Sequence, residues 1–266
     1  MKYLKSVLTT VRRESPILYT IVLINLALTI GCIFGILFDD RTLVGINIWI
    51  KPLKFAISTG IYTLSVGYLV TLYPYSRLKK NILNNIVSWS LLLEMVIIVS
   101  QAYRGVQSHY NMNTPYDGIL FGAMGILISI NVLIMVLFAI DTIRLKMRVP
   151  RSVQTAILLG WLVVLFGSWV GGQMIGQMAH NVGVVDGGDG LPLLNWSTVA
   201  GDLRVAHFFG LHGLQIIPLF AFGLFKKWSA PNKNHSLVVI IFGLVYAGWI
   251  GYTFYQAKQA MPFLTL

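Results

Sequence analysis

Residues 17–37 read ILYTIVLINLALTIGCIFGIL, twenty-one positions without one charged side chain. A helix needs about 20 apolar residues to cross the hydrocarbon core of a bilayer, so this run predicts a transmembrane helix from Ile17 to Leu37. Six more runs of the same kind follow: Pro52 to Leu72, Ile82 to Tyr103, Gly118 to Ile140, Val153 to Ile175, Val205 to Phe225 and Leu237 to Ala257. The expected fold is an all-α polytopic integral membrane protein with seven transmembrane helices. Composition agrees. Of 266 residues only 11% are charged and 56% are hydrophobic, against about 25% charged in soluble domains. The mean hydropathy is +0.73. A disordered chain and a disulfide scaffold are excluded, and the lone Cys32 can form no internal bridge.

The net charge of +11 does not call for a nucleic-acid partner, because basic residues collect in cytoplasmic loops. Placing the N-terminus in the cytoplasm puts fourteen of the twenty Lys and Arg residues inside: Lys2, Lys5, Arg12, Arg13, Arg77, Lys79, Lys80, Arg144, Lys146, Arg148, Arg151, Lys226, Lys227 and Lys233. Asp39, Asp40, Asp117, Asp186, Asp189 and Asp202 then lie outside. The C-terminus is expected outside too, and the membrane is expected to be a bacterial inner (plasma) membrane. Residues 1–16, MKYLKSVLTTVRRESP, carry Leu4, Val7, Leu8 and Val11 at helical spacing between basic residues. This suits an interfacial amphipathic segment beneath anionic lipid. A signal peptide fits less well, since the apolar run after it is too long and no small-residue cleavage site follows. The seven-helix domain spans 17–257, with a long outer loop at 176–204 where function is expected, and a short outer tail at 258–266.

Polar groups inside a span are functional candidates because lipid offers them no partner. Ser90, Glu94, Gln101, Arg104 and Ser108 recur at helical intervals and draw one polar stripe. Glu94 lies ten residues below Arg104, about 15 Å deep, and is the candidate catalytic or proton-handling residue; the alternative is a protonated, hydrogen-bonded packing residue. Gln173, Gln177 and His180 share a face in GGQMIGQMAHNVG. Gly167 with Gly171, and Gly172 with Gly176, are GxxxG spacings that permit a close helix neighbour or a flat cofactor against the backbone. The loop VVDGGDGLPLLNWSTVAGDLR reads as turns around Asp186 and Asp189 with Trp196 as an interfacial anchor; it lacks the spacing of a calcium-binding EF-hand loop.

The segment GDLRVAHFFGLHGLQ opens the sixth span. Asp202 is placed to cap the helix. His207 and His212 are five apart, a net rotation of about 140°, so they address different neighbours. His109, His180, His207 and His212 all fall in one outer layer and form a candidate metal-ligand set, whereas His235 reads as a surface residue. Lys51 and Lys54 flank Pro52, which suits the first helical position, and Arg204 sits in the first turn of the sixth span. Cations there oppose the helix dipole. An anion offsets this, so Lys54, Arg104 and Arg204, with Gln173 and Gln177, are candidate cofactor-binding residues. The alternative is snorkelling to lipid phosphates.

Histidines on different helices, close-approach glycines, aromatic residues Trp169, Phe208, Phe209 and Tyr110 and rim cations together match what a membrane haem b needs. Arg204 to His207, RVAH, resembles the Arg-x-x-His pattern of haem-binding helices in bacterial membrane cytochromes b. The stretch from NWST through GDLRVAHFFGLHGLQ, with WIKPLKF at 49–55, is similar to a family of uncharacterised bacterial multi-span membrane proteins; that resemblance implies a topology and no reaction. The paired motifs and eight spans of haem A synthases are absent. The expected function is an integral membrane redox protein binding haem or another metal, with a quinone or lipid-borne substrate entering from the bilayer. One alternative is a zinc-dependent membrane hydrolase using three histidines with Glu94 or Asp202 as base. Another is a transporter or a pH or metal sensor, for which Met112, Met174 and Met178 keep copper open. A retinal protein is not expected, because the last span has no lysine near its middle.

Overall fold

A computed structural model describes residues 2–188, 190–227 and 233–265. Asp189, and the side chains of Lys226, Lys227 and Lys233, lie outside the described residues. The chain is mainly helical: α1 (Lys2–Glu14), α2 (Pro16–Phe38), α3 (Ile50–Leu69) with a 3-10 turn to Leu72, α4 (Arg77–Tyr103), α5 (Pro115–Arg144), α6 (Arg151–Gln177), α7 (Leu203–Lys227) and α8 (Lys233–Lys258). Two short antiparallel ribbons interrupt them, β1 (Thr42–Leu43) with β2 (Ile46–Asn47), and β3 (Asn181–Val182) with β4 (Gly201–Asp202). Among the described residues seven helices, α2 to α8, are long and apolar enough to cross a membrane.

Each expected span lies inside one of these helices or its terminal turn. The helices run further, because hydropathy reads only the hydrocarbon crossing while hydrogen bonding continues into polar turns. Helix α4 begins at Arg77, capped by Ser76, whose hydroxyl accepts from the Lys79 N–H at 3.2 Å. Pro16 starts α2 at a position where its missing N–H is harmless. Pro52 is a correction: α3 begins at Ile50, so the proline sits third in the helix.

The chain divides into two compact units, residues 1–134 and 135–266, and α5 passes from one into the other. In the first unit α1 packs on α2 and α3. Val11 is fully buried, and a Cβ added at Gly67 would lie 2.8 Å from its Cγ1. Ser15 Oγ donates to the Gly67 carbonyl at 3.1 Å, and Lys80 pairs with Glu14 at 2.8 Å. Tyr3 and Leu4 stay exposed, so the amphipathic segment is docked at one end and open at the other. Ala56, Met95, Ile98 and Met124 form a buried cluster between α3, α4 and α5. At the two ends of the β1–β2 ribbon the Arg41 guanidinium, with the Trp49 indole N–H, holds Asp39 well below the usual carboxylate range.

In the second unit α6, α7 and α8 pack on one another. Trp161, fully buried, stacks on Phe138 at 5.0 Å. The α6–α7 contact is a backbone approach. A Cβ at Gly210 would lie 2.5 Å from Gly167 Cα, and one at Gly167 would lie 2.8 Å from Gly210 Cα. Gly172 and Gly176 have nothing within 4 Å of an added Cβ. Of the two overlapping glycine pairs, the first faces α7 and the second does not.

Candidate functional site

The long loop at 176–204 is built around a buried carboxylate. Asp202 caps α7 as expected, its Oδ1 accepting from the Arg204 N–H at 2.9 Å. It also receives the guanidinium of Arg204 on both oxygens, 2.9 Å from Nε to Oδ1 and 2.6 Å from Nη2 to Oδ2, and the Ser197 N–H at 2.9 Å. Arg204 Nη2 donates in addition to the Asn195 carbonyl. Asp202 fastens the 195–197 turn and the helix start through one group. Pairing β3 with β4 brings Asn181 opposite Asp202, which delivers His180 to the same place. Its Nε2 is 3.3 Å from Asp186 Oδ2, while Asp186 accepts from the backbone N–H of His180 and Asn181. A void of about 10 Å³ between His180, Asn195, Ser197 and Arg204 has room for one water.

Arg204 is engaged by Asp202 within the chain. Gln177 ties off α6, donating to the carbonyls of Ala179 and Asn181 at 3.0 and 3.1 Å. Trp196 is buried against Phe208, Phe209 and Phe263 instead of anchoring at an interface. His235 is corrected as well: it is buried, within α8.

Burial, and after it the Arg204 charge, hold His180 below the ordinary imidazole value. The unfolded chain then takes up the proton more readily than the folded one, so the resulting stability is present above about pH 6.5 and declines as pH falls. Amide exchange across 180–204 is expected to quicken one pH unit below that value relative to one above, after correction for intrinsic rates. Unchanged protection would contradict this.

Within α7 the two histidines have different settings. His207 Nδ1 meets the Gly167 carbonyl at 2.8 Å. A carbonyl only accepts, so Nδ1 carries the proton, and a neutral ring keeps its lone pair on Nε2. The ring lies over Gly171, where an added Cβ would be 3.0 Å from Cε1. The GxxxG pair therefore serves twice, Gly167 as acceptor and Gly171 as a floor. His212 stands edge-on to Phe208 with centroids 4.4 Å apart and shares a hydrogen bond with Gln215. Gln173 is half-buried on α6.

In the first unit His109 lies among Phe55, Tyr110 and Phe121, with Ser108 Oγ 3.1 Å from Nδ1. Lys54, the fifth residue of α3, is half-buried. Arg104 caps the end of α4 and pairs with buried Asp117 at 2.7 Å, and Asp117 also receives Gln101 Nε2 at 2.8 Å and Thr114 Oγ1 at 2.7 Å. Arg104, like Arg204, is thus engaged by a carboxylate of the chain itself. The polar stripe ends there, since Ser108 lies beyond the helix. Glu94 is buried and makes no hydrogen bond or ion pair among the described residues. It shares a face of α4 with Ser90 and Gln101. Those two bond to α5, Ser90 Oγ accepting from Asn131 Nδ2 at 2.6 Å. Asn131 was not singled out from sequence, although a polar residue in the middle of an apolar run carries the same signal as Glu94.

Among the described residues no group of three or more His, Cys, Asp or Glu side chains is placed to hold a metal ion. Comparison with protein-family models, with curated proteins and with solved structures finds no match for this chain.

Proposed function

We propose that the chain is an integral membrane redox protein of a bacterial inner membrane that binds haem or another metal through histidine and acts on a quinone or lipid-borne substrate. Its N-terminus is cytoplasmic, following the distribution of basic residues, and the histidine layer faces the outside. The observation that carries the reading is His207. Its Nδ1–H is held by a backbone carbonyl and its ring is seated on a glycine; a hydrogen bond at one nitrogen fixes the tautomer and orientation with which the other binds metal. A haem needs only one or two axial imidazoles. The zinc hydrolase reading needs three protein ligands, and no such group exists among the described residues. The donor set therefore fits haem better than zinc.

In this reading His207 Nε2 would hold the iron, and Glu94 would hold a proton in the first unit. The haem would supply one-electron chemistry when bound. The test compares purified wild-type protein with His207→Ala and His109→Ala. Wild type is expected to show a Soret band with bound iron. His207→Ala loses at least tenfold of the iron, while His109→Ala does not. Equal iron retention by wild type and His207→Ala would refute the assignment of the ligand.

A further inference from the structure

Among the described residues, five buried polar atoms of the first unit have no hydrogen-bond partner: Asn25 Oδ1, Tyr62 Oη, Asn84 Oδ1, Ser88 Oγ and Asn131 Oδ1. Glu94, 9% exposed, is a sixth group without one. An unpaired buried oxygen is costly in protein and more so in lipid, where no solvent can reach it from the side. The positions of these groups are ordered. The start of α2, the end of α3 and the start of α4 share one end of the unit, joined by the Ser15–Gly67 and Glu14–Lys80 contacts. Counting helical rise from that end, Asn84 lies at about 10 Å, Asn25 at about 13 Å, Tyr62 at about 15 Å and Ser88 at about 16 Å. Asn131, bonded to Ser90, lies at about 20 Å and Glu94 at about 25 Å.

Beyond Glu94 the pattern reverses. Gln101, Arg104, Thr114 and Asp117 bond to one another. Among the described residues of this unit, oxygens lacking partners thus occupy only the side of Glu94 facing the α4 start, and a mutually saturated cluster closes the other side.

We propose that internal waters occupy this half of the first unit and connect Glu94 to the end where α4 begins, so that a proton reaches the carboxyl from that end and not from the other. Buried waters make two to four hydrogen bonds to polar groups otherwise unsatisfied, and successive groups in this series differ in depth by no more than about 5 Å. A proton passes from water to the Glu94 carboxylate and returns by the same chain, with no other reactant. This deepens the proton role given to Glu94 above but needs no metal, so its failure and that of the haem reading are separate outcomes.

The test uses the full chain in lipid nanodiscs transferred into D₂O, followed by infrared spectroscopy. The carboxyl C=O band of interest is the one lost in Glu94→Gln. It is expected to shift on exchange in wild type, and at least tenfold more slowly in Ser88→Ala combined with Asn84→Leu or Asn131→Leu. Arg104→Lys, at the saturated end, leaves the rate unchanged. Should the double variants not fold, hydroxyl-radical footprinting of wild type decides. Tyr62 is labelled although its hydroxyl oxygen is buried, whereas Tyr246, whose hydroxyl donates to the Phe209 carbonyl at 2.7 Å, is not. Absence of a Glu94-dependent carboxyl band, exchange as fast in the double variants as in wild type, or an unlabelled Tyr62 would overturn the proposal.

Discussion

Gly210→Ala and Gly167→Ala are each expected to destabilise the protein by about 3 kcal/mol, the upper part of the range for overpacking a tight core, and their leucine counterparts should not fold. The reason is what the added carbon meets. At Gly210 it would lie 2.5 Å from Gly167 Cα, and at Gly167 it would lie 2.8 Å from Gly210 Cα. Both obstacles are backbone, so no side chain can swing away and the helices themselves must part. Separation of α6 from α7 would also break the 2.8 Å contact between His207 and the Gly167 carbonyl, so under the proposed haem reading iron content should fall with stability. Gly172→Ala and Gly176→Ala are the controls. They have open space at the added carbon and should be neutral or stabilising by about 0.5–1 kcal/mol, since alanine orders a helix at lower entropic cost. Thermal unfolding of the four alanine variants in one detergent checks the ranking. Equal midpoints would mean that α6 and α7 do not meet at these glycines.

Asp202→Asn is the second substitution with a large expected effect, a loss of about 3–5 kcal/mol, the range for breaking a buried ion pair by removing one partner. The Asp202 side chain has no exposed area and that of Arg204 is 22% exposed, so the guanidinium would keep its burial and lose its charge partner. The same change weakens the Ser197 N–H bond and the cap on the Arg204 N–H. The loss should appear first as faster amide exchange across 180–204 and only then as a lower unfolding midpoint. Asp186→Asn, which leaves the Arg204 pair intact, should loosen the His180 turn alone. A variant at Asp202 with wild-type exchange in the loop would show that the turn is held by something else.

The seven helices are legible in the sequence because hydrocarbon thickness imposes a length that apolar runs must meet, and residues 17–37 meet it without interruption. Helix ends are less legible, as at Arg77 and Lys233, because beyond the hydrocarbon a helix can continue through polar residues. Arg104 and Arg204 read as stray cations because a span-by-span scan asks what lies at the same depth on one helix. Their partners come from elsewhere: Asp117 from the start of the next helix, and Asp202 from a position already explained as a cap. His235 and Trp196 were assigned by location in a loop, and tertiary packing buried both. Glu94 stood out by its charge, while Asn25, Asn84 and Asn131 did not, although neutral amides obey the same rule in lipid. The GxxxG spacing at Gly167 and Gly171 signalled close approach, but only the packed helices show that the approaching group includes an imidazole.

The redox reading rests finally on whether the chain carries iron. The most direct measurement is the reduced-minus-oxidised absorption spectrum of the detergent-purified wild-type protein, with iron determined on the same sample. A Soret band that shifts on reduction, with iron approaching one per chain, is the result expected. Colourless protein without iron, folded by circular dichroism, would contradict it.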